Sequence, residues 1–167
     1  YSIGQHGNFS HGLIAQPTFS FLGDESEYRS NTKLAGLQER DGTIEGGFYI
    51  HHTTELGRFR LALLNDLAGK HDGQRVTASY TYDLQAGNWS INPSFGVQWI
   101  SSDIVNHHFG VSQNEATATR AAYDGNSAFN FFAGVRARID LSERWDFGAS
   151  TGFTVLDSSI TDSSIVE

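Results

Sequence analysis

From Trp89 to Trp99 the chain alternates without interruption. Trp89, Ile91, Pro93, Phe95, Val97 and Trp99 fall on one face, and Ser90, Asn92, Ser94, Gly96 and Gln98 on the other. A period of two over that length is a strand with one apolar and one polar side. Ten residues at roughly 3.3 Å each, tilted about 40° from a membrane normal, set the two indoles about 25 Å apart. That is the height of the apolar band between the aromatic girdles of an outer-membrane barrel.

The same alternation predicts strands near 11–21, 43–54, 58–66, 75–83, 129–139 and 145–155, with residues 1–4 as the tail of an eighth. Ile44, Gly46, Phe48 and Ile50, for instance, oppose Glu45, Gly47, Tyr49 and His51. Connections alternate in length too. Short turns are expected at Gln5–Ser10, Glu55–Gly57, Leu84–Asn88 and Asp140–Arg144, and long connections at 22–42, 67–74, 102–128 and beyond 156. This asymmetry is that of an antiparallel up-and-down transmembrane β-barrel with short periplasmic turns and long outer loops. Asp24, Glu25, Glu27, Asp72, Asp103, Glu115, Asp124, Asp157 and Asp162 lie in the long connections, which predicts an acidic outer rim.

A soluble antiparallel sandwich also alternates, so the polar face has to discriminate. A solvated outer surface is rich in Lys and Glu. Here that face carries Ser, Thr, Asn, Gly and a few Arg, and the lysines, Lys33 and Lys70, both sit in long connections. Aromatic residues cluster toward strand ends, and Trp89, Trp99, Trp145 and Tyr82 are the expected girdle, with Trp89 periplasmic and Trp99 outward. No run approaches the roughly 20 apolar residues of a membrane-spanning helix. The chain contains no cysteine, which excludes a disulfide scaffold, and its net charge of −8 argues against nucleic acid as a partner. A single domain over 1–167 is expected, and an open sheet edge in lipid would leave backbone groups unpaired, so further strands are expected beyond both ends.

On this register Arg58, Arg60, Arg75, Arg136 and Arg138 face the lumen together with Glu45, Asp83 and Asp146. Such a face either tunes the passage of small anions or fills a modest barrel with arginine–carboxylate pairs. His107 and His108, adjacent in the longest connection and near Asp103, His71 and Asp72, are the candidates for a copper or zinc site. His51 and His52 point to opposite faces and cannot share one metal ion. A hydrolase would need serine, histidine and acid brought together, and no nucleophile elbow is present; His52 beside Thr53 is the least poor candidate. The expectation is a non-enzyme without cofactor.

The stretch His107-His108-Phe109-Gly110-Val111-Ser112-Gln113-Asn114-Glu115-Ala116, followed by Ala122-Tyr123-Asp124, resembles a loop of the MipA/OmpV family of outer-membrane proteins. Asp66–Gly73 is similar to that family's Gly-rich His-Asp-Gly turn, and Leu141–Trp145 to the turn before its penultimate strand. Asp162–Val166 is similar to its Asp-Ser-Pro-hydrophobic-Val stretch, with Ser164 in place of proline. The resemblance covers most of 43–167. It implies a barrel of about 10–12 strands in the complete protein, with a signal peptide and strands before Tyr1 and an aromatic-ended strand after Glu167. It also implies residence in the outer membrane of a Gram-negative bacterium. By the same resemblance the protein is a scaffold contacting a murein lytic transglycosylase and a murein synthase, the role described for the family's eponymous member. The alternatives are a channel or uptake barrel for small solutes, and binding of ligand, metal or host surface through the loop of Phe109, Gly110, Val111, Ser112, Tyr123 and Asp124.

Overall fold

The computed structural model describes residues 2–6, 8–19 and 34–166. Its strands are β1 (Ser2–His6), β2 (Phe9–Thr18), β3 (Thr43–Thr54), β4 (Gly57–Asp66), β5 (Gln74–Tyr82), β6 (Leu84–Ala86), β7 (Trp89–Ile100), β8 (Ala128–Ser142) and β9 (Trp145–Val155). Two short helices, α1 (Ser102–Phe109) and α2 (Ser158–Thr161), follow β7 and β9. All strands join one antiparallel sheet in the order β1-β2-β3-β4-β5-β7-β8-β9, with β6 paired to β7. Each long strand lies beside its chain neighbour, the up-and-down pattern, and the sheet is not closed in this chain. No helix among the described residues is long and apolar enough to cross a membrane.

The alternation in sequence becomes two faces through the register. Phe48 pairs with Leu63, Leu61 with Ala78, Val97 with Phe131 and Val135 with Thr151, so one apolar face runs across the sheet. That face is bare, with Phe48, Phe95 and Phe131 exposed by 63%, 62% and 59%. A water-soluble sheet covers its apolar side; a barrel wall in lipid does not. Arg60 pairs with His51 and Ser79, and Asn92 with Arg136, so the polar residues share the opposite face.

Some boundaries differ from the sequence expectation. The second strand stops at Thr18; the rest of its predicted span and Asp24, Glu25 and Glu27 lie at or within 20–33, outside the described residues, except Phe19. The Leu84–Asn88 turn shrinks to Gly87 and Asn88, because β6 continues β5. The pairs Thr81↔Ser94 and Leu84↔Ile91 keep one register across the interruption at Asp83. Pro93 lies opposite the break and has no N–H to give the ladder. The Asp83 N–H instead donates to the Leu56 carbonyl at 3.2 Å. Gly87 takes φ +61°, the positive value that a tight hairpin requires.

The described parts of the long connections, 102–127 and 156–166, are folded rather than irregular. His107 and His108, expected in a loop, belong to α1. Ile100, Ile104, Val105, Ala128 and Ile160 bury one another, with Phe109 and Val166 packed alongside, forming a cap at the end of the sheet where the long connections lie. The Asp157 carboxylate caps α2 by accepting from the Ser159 N–H. Trp89 and Trp145 stand at the short-turn end and Trp99 at the cap end.

Candidate functional site

β4 presents Arg58 and Arg60 to the polar face, and β8 presents Arg136 and Arg138. Between them β5 and β7 contribute shorter side chains, Ser79, Thr81, Asn92 and Ser94. Long residues around a floor of short ones leave a hollow of about 380 Å³, lined by His51, Arg58, Arg60, Ser79, Asn92 and Arg136 among others. Arg58 lies 3.6 Å from Asp83, which also accepts from Asn92 Nδ2 at 2.8 Å. Arg138 is paired with Asp140 at 3.1 Å and Asp146 at 3.3 Å, away from the hollow. Arg60 and Arg136 make no ion pair or hydrogen bond among the described residues. Phe132, absent from the expected polar set, also points to this face: a Cβ on Gly96 would come within 2.4 Å of its Cζ. The glycine across the strand pair is the sequence signal for it.

A second polar group lies under the cap. Glu45 is 1% exposed and is held by Arg75, with Nη2–Oε1 at 3.0 Å, and by Gln16 Nε2 at 3.2 Å. Arg75 Nη1 also donates to Gln98. Asp66, at the end of β4, organises the turn that follows: its carboxylate accepts the N–H groups of Ala68, Lys70, His71 and Asp72, and the Thr43 hydroxyl. Gly69 at φ +65° lets the chain curl around that carboxylate. Gly73 admits the close approach of Ile104 Cγ1, which would lie 2.5 Å from a Cβ. The Gly-rich turn thus has a mechanism, a carboxylate satisfied by successive backbone donors.

His71 is buried between Asp66 at 3.7 Å and Glu45 at 3.9 Å. Its Nδ1 accepts the Gly73 N–H at 2.9 Å, which puts the proton of the neutral ring on Nε2. Burial holds its pKa below the usual value against the opposing pull of Asp66 and Glu45. His107 and His108 sit over it, with ring centroids 5.5 and 6.1 Å away. His108 is 1% exposed, and burial, aided by neighbouring His107, His71, Arg75 and Arg40, pushes its pKa down to about 3. Among the described residues no group of three His, Cys, Asp or Glu is arranged to hold a metal ion, and His107 Nε2 lies 3.0 Å from the Asp41 carbonyl oxygen. On the apolar face His52 stacks on Phe9 at 4.1 Å.

The Phe-Gly-Val-Ser loop closes on itself. Val111 and Tyr123 exchange N–H···O bonds of 2.9 Å in both directions. Asn106 donates to the Gly125 carbonyl and accepts its N–H, and Ser163 Oγ donates to the Phe109 carbonyl at 2.6 Å. Glu115, expected on an acidic rim, is instead buried. Its carboxylate accepts the N–H groups of Gln38 and Ser112, each at 2.8 Å, and Arg40 Nη2 at 3.1 Å. Burial pushes its pKa up, but those N–H donors and Arg40 outweigh it and bring the carboxyl to about 2. Beside the loop a hollow of about 480 Å³ is lined by Arg40, Asn106, Ser112, Tyr123 and Asp124 among others.

Residues 1–167 match the family described as "MltA-interacting protein MipA". The outer membrane protein Omp26La of Vibrio anguillarum is 28% identical over 138 residues, which cover 83% of this chain and 54% of that protein. OmpV of Vibrio cholerae is 27% identical over 138 residues, again 83% and 54%. The MltA-interacting protein of Escherichia coli is 26% identical over 136 residues, 81% of this chain and 55% of that protein. The chain spans about half the length of these relatives. No solved structure matches it.

Proposed function

The chain belongs to the MipA family of outer-membrane proteins, and from that premise we propose that it forms part of a barrel that scaffolds murein enzymes from the periplasmic side. The observation that carries this reading is the difference between the sheet's two ends. At one end tight turns at 55–56, 87–88 and 143–144 join successive strands, and Leu56 and Leu141 stand 59% and 63% exposed there. At the other end the connections after β7 and β9 are spent on a packed cap. Exposed apolar side chains on rigid hairpins suit a protein partner or the headgroup boundary.

The partner class comes from a relative named for its interaction with MltA, and relatives are named as outer-membrane or interacting proteins rather than as enzymes. In this reading the apolar face meets outer-membrane lipid, and Arg58, Arg60, Arg75, Arg136, Arg138, Glu45, Asp83 and Asp146 lie on the interior side of the closed barrel, Glu45 buried there beneath the cap. The full-length protein in detergent, immobilised, is expected to retain a purified murein lytic transglycosylase and a murein synthase. Leu56→Glu and Leu141→Glu are expected to weaken that retention while the barrel stays folded. Ion conductance in planar bilayers with no enzyme retained would overturn the scaffold in favour of a channel.

A further inference from the structure

The two polar groups on the inner side of the sheet are built differently. Under the cap Arg75 holds Glu45, and the Asp66 carboxylate is surrounded by backbone donors. In the hollow at mid-sheet the charges do not balance. Asp83 offsets Arg58, while Arg60 and Arg136 face the same space without a carboxylate among the described residues. Arg60 is half-buried and Arg136 exposed, so both stay charged and give the hollow an excess of positive charge that attracts a small anion.

From this juxtaposition we propose that the hollow binds the phosphate group of a small, water-soluble phosphate monoester, a function independent of any scaffolding role. Charge fixes the class: a phosphate monoester carries about −1.5 to −2 at neutral pH, which matches the excess of Arg60 and Arg136. Donor geometry agrees. Guanidinium groups bind phosphate oxygens in bidentate pairs, and the floor adds the hydroxyls of Ser79, Thr81 and Ser94 as donors. His51 adds a further group, since its Nε2 is shielded from solvent and takes no hydrogen bond. Size agrees as well, because about 380 Å³ is in the range of small-molecule sites. The face selects the source of the phosphate. Lipid belongs on the opposite, apolar side of the same strands, so the ester reaches the hollow through water.

The test is calorimetric titration of the full-length protein, folded in a phosphate-free detergent, with inorganic phosphate and with glycerol phosphate, against chloride at matched ionic strength. Both phosphates are expected to bind and chloride not to. Arg60→Gln and Arg136→Gln should each weaken binding by about tenfold or more, the loss of a charge-assisted hydrogen bond. Arg138→Gln, on the same face but paired with Asp140 and Asp146, should change it by less than about twofold. Ser94→Asp keeps every arginine and places a carboxylate on the floor, and it should abolish binding; heat-modified gel migration reports that each variant is folded. Phosphate heats indistinguishable from chloride overturn the proposal. So does a loss on Arg138→Gln equal to that on Arg60→Gln, which would reveal only diffuse charge attraction.

Discussion

The wall of strands and the cap at its end are made by one chain for two solvents. In the wall the large side chains turn outward, and Phe95 and Phe131 are more than half exposed. In the cap they turn inward: Val105 is 0% and Ile104 1% exposed. Wall stability rests on ladder hydrogen bonds that have no competitor in lipid, whereas cap stability rests on apolar burial away from water. Polar groups follow the same division. The wall keeps its arginines on the side away from the apolar face, and the cap buries Glu45, His71, His108 and Glu115 among partners or packing neighbours.

Substitutions chosen for one region should spare the other. The largest effect is expected for Ile104→Ala, which removes the centre of the cap's apolar cluster and costs about 2–5 kcal/mol of local stability. Hydrogen exchange should accelerate across 102–123 and leave β3–β8 protected; loss of protection throughout would mean that cap and wall fold as one unit. Next is Phe95→Arg, which sets a charge mid-strand on the apolar face and costs about 2–4 kcal/mol in refolding from urea into vesicles. Ser94→Gln, one residue away on the polar face, should be far milder, and equal costs would remove the two-face assignment.

A smaller effect follows from acid. The folded cap holds His108 neutral down to about pH 3, whereas in the unfolded cap the ring takes up its proton near pH 6.5. Stability is therefore full above about 6.5 and falls as pH drops through the interval, by about 2 kcal/mol between pH 7 and 5. Glu115, at about 2 when folded, adds a loss in the same direction below about pH 4.5. Protease nicking of the cap should rise at pH 5 and strand protection should not. A cap as resistant at pH 5 as at pH 7 would show that the His108 ring is not held neutral by the fold.

Much of the wall is readable from residues alone, because a strand's faces are a local property. β3 runs over Thr43–Thr54 and β9 over Trp145–Val155 as the alternation requires, and short polar turns mark where the chain reverses. The family-like stretches were readable as words but not as structures. Their meaning is long-range: the Gln38 N–H meets the Glu115 carboxylate across 77 positions of sequence, and Arg75 meets Glu45 across 30. No periodicity encodes such a pairing. The 102–128 connection has a short amphipathic helix that its few turns did not announce, and Glu115 was read as a rim charge because burial of a carboxylate depends on donors that arrive from elsewhere.

The sequence by itself determined that the strands have two faces, which residues apart from Phe132 share each face and which ends carry short turns. Alternation at a period of two leaves no other regular structure, and a one-residue slip would turn every side chain to the wrong side. Tertiary structure alone decided that the connections after β7 and β9 fold into a cap, that Glu115 and His108 are buried within it, and that Arg60 and Arg136 face one hollow without a carboxylate among the described residues. Those outcomes depend on which distant groups reach one another once the strands are in register, and that is fixed by packing rather than by any local pattern.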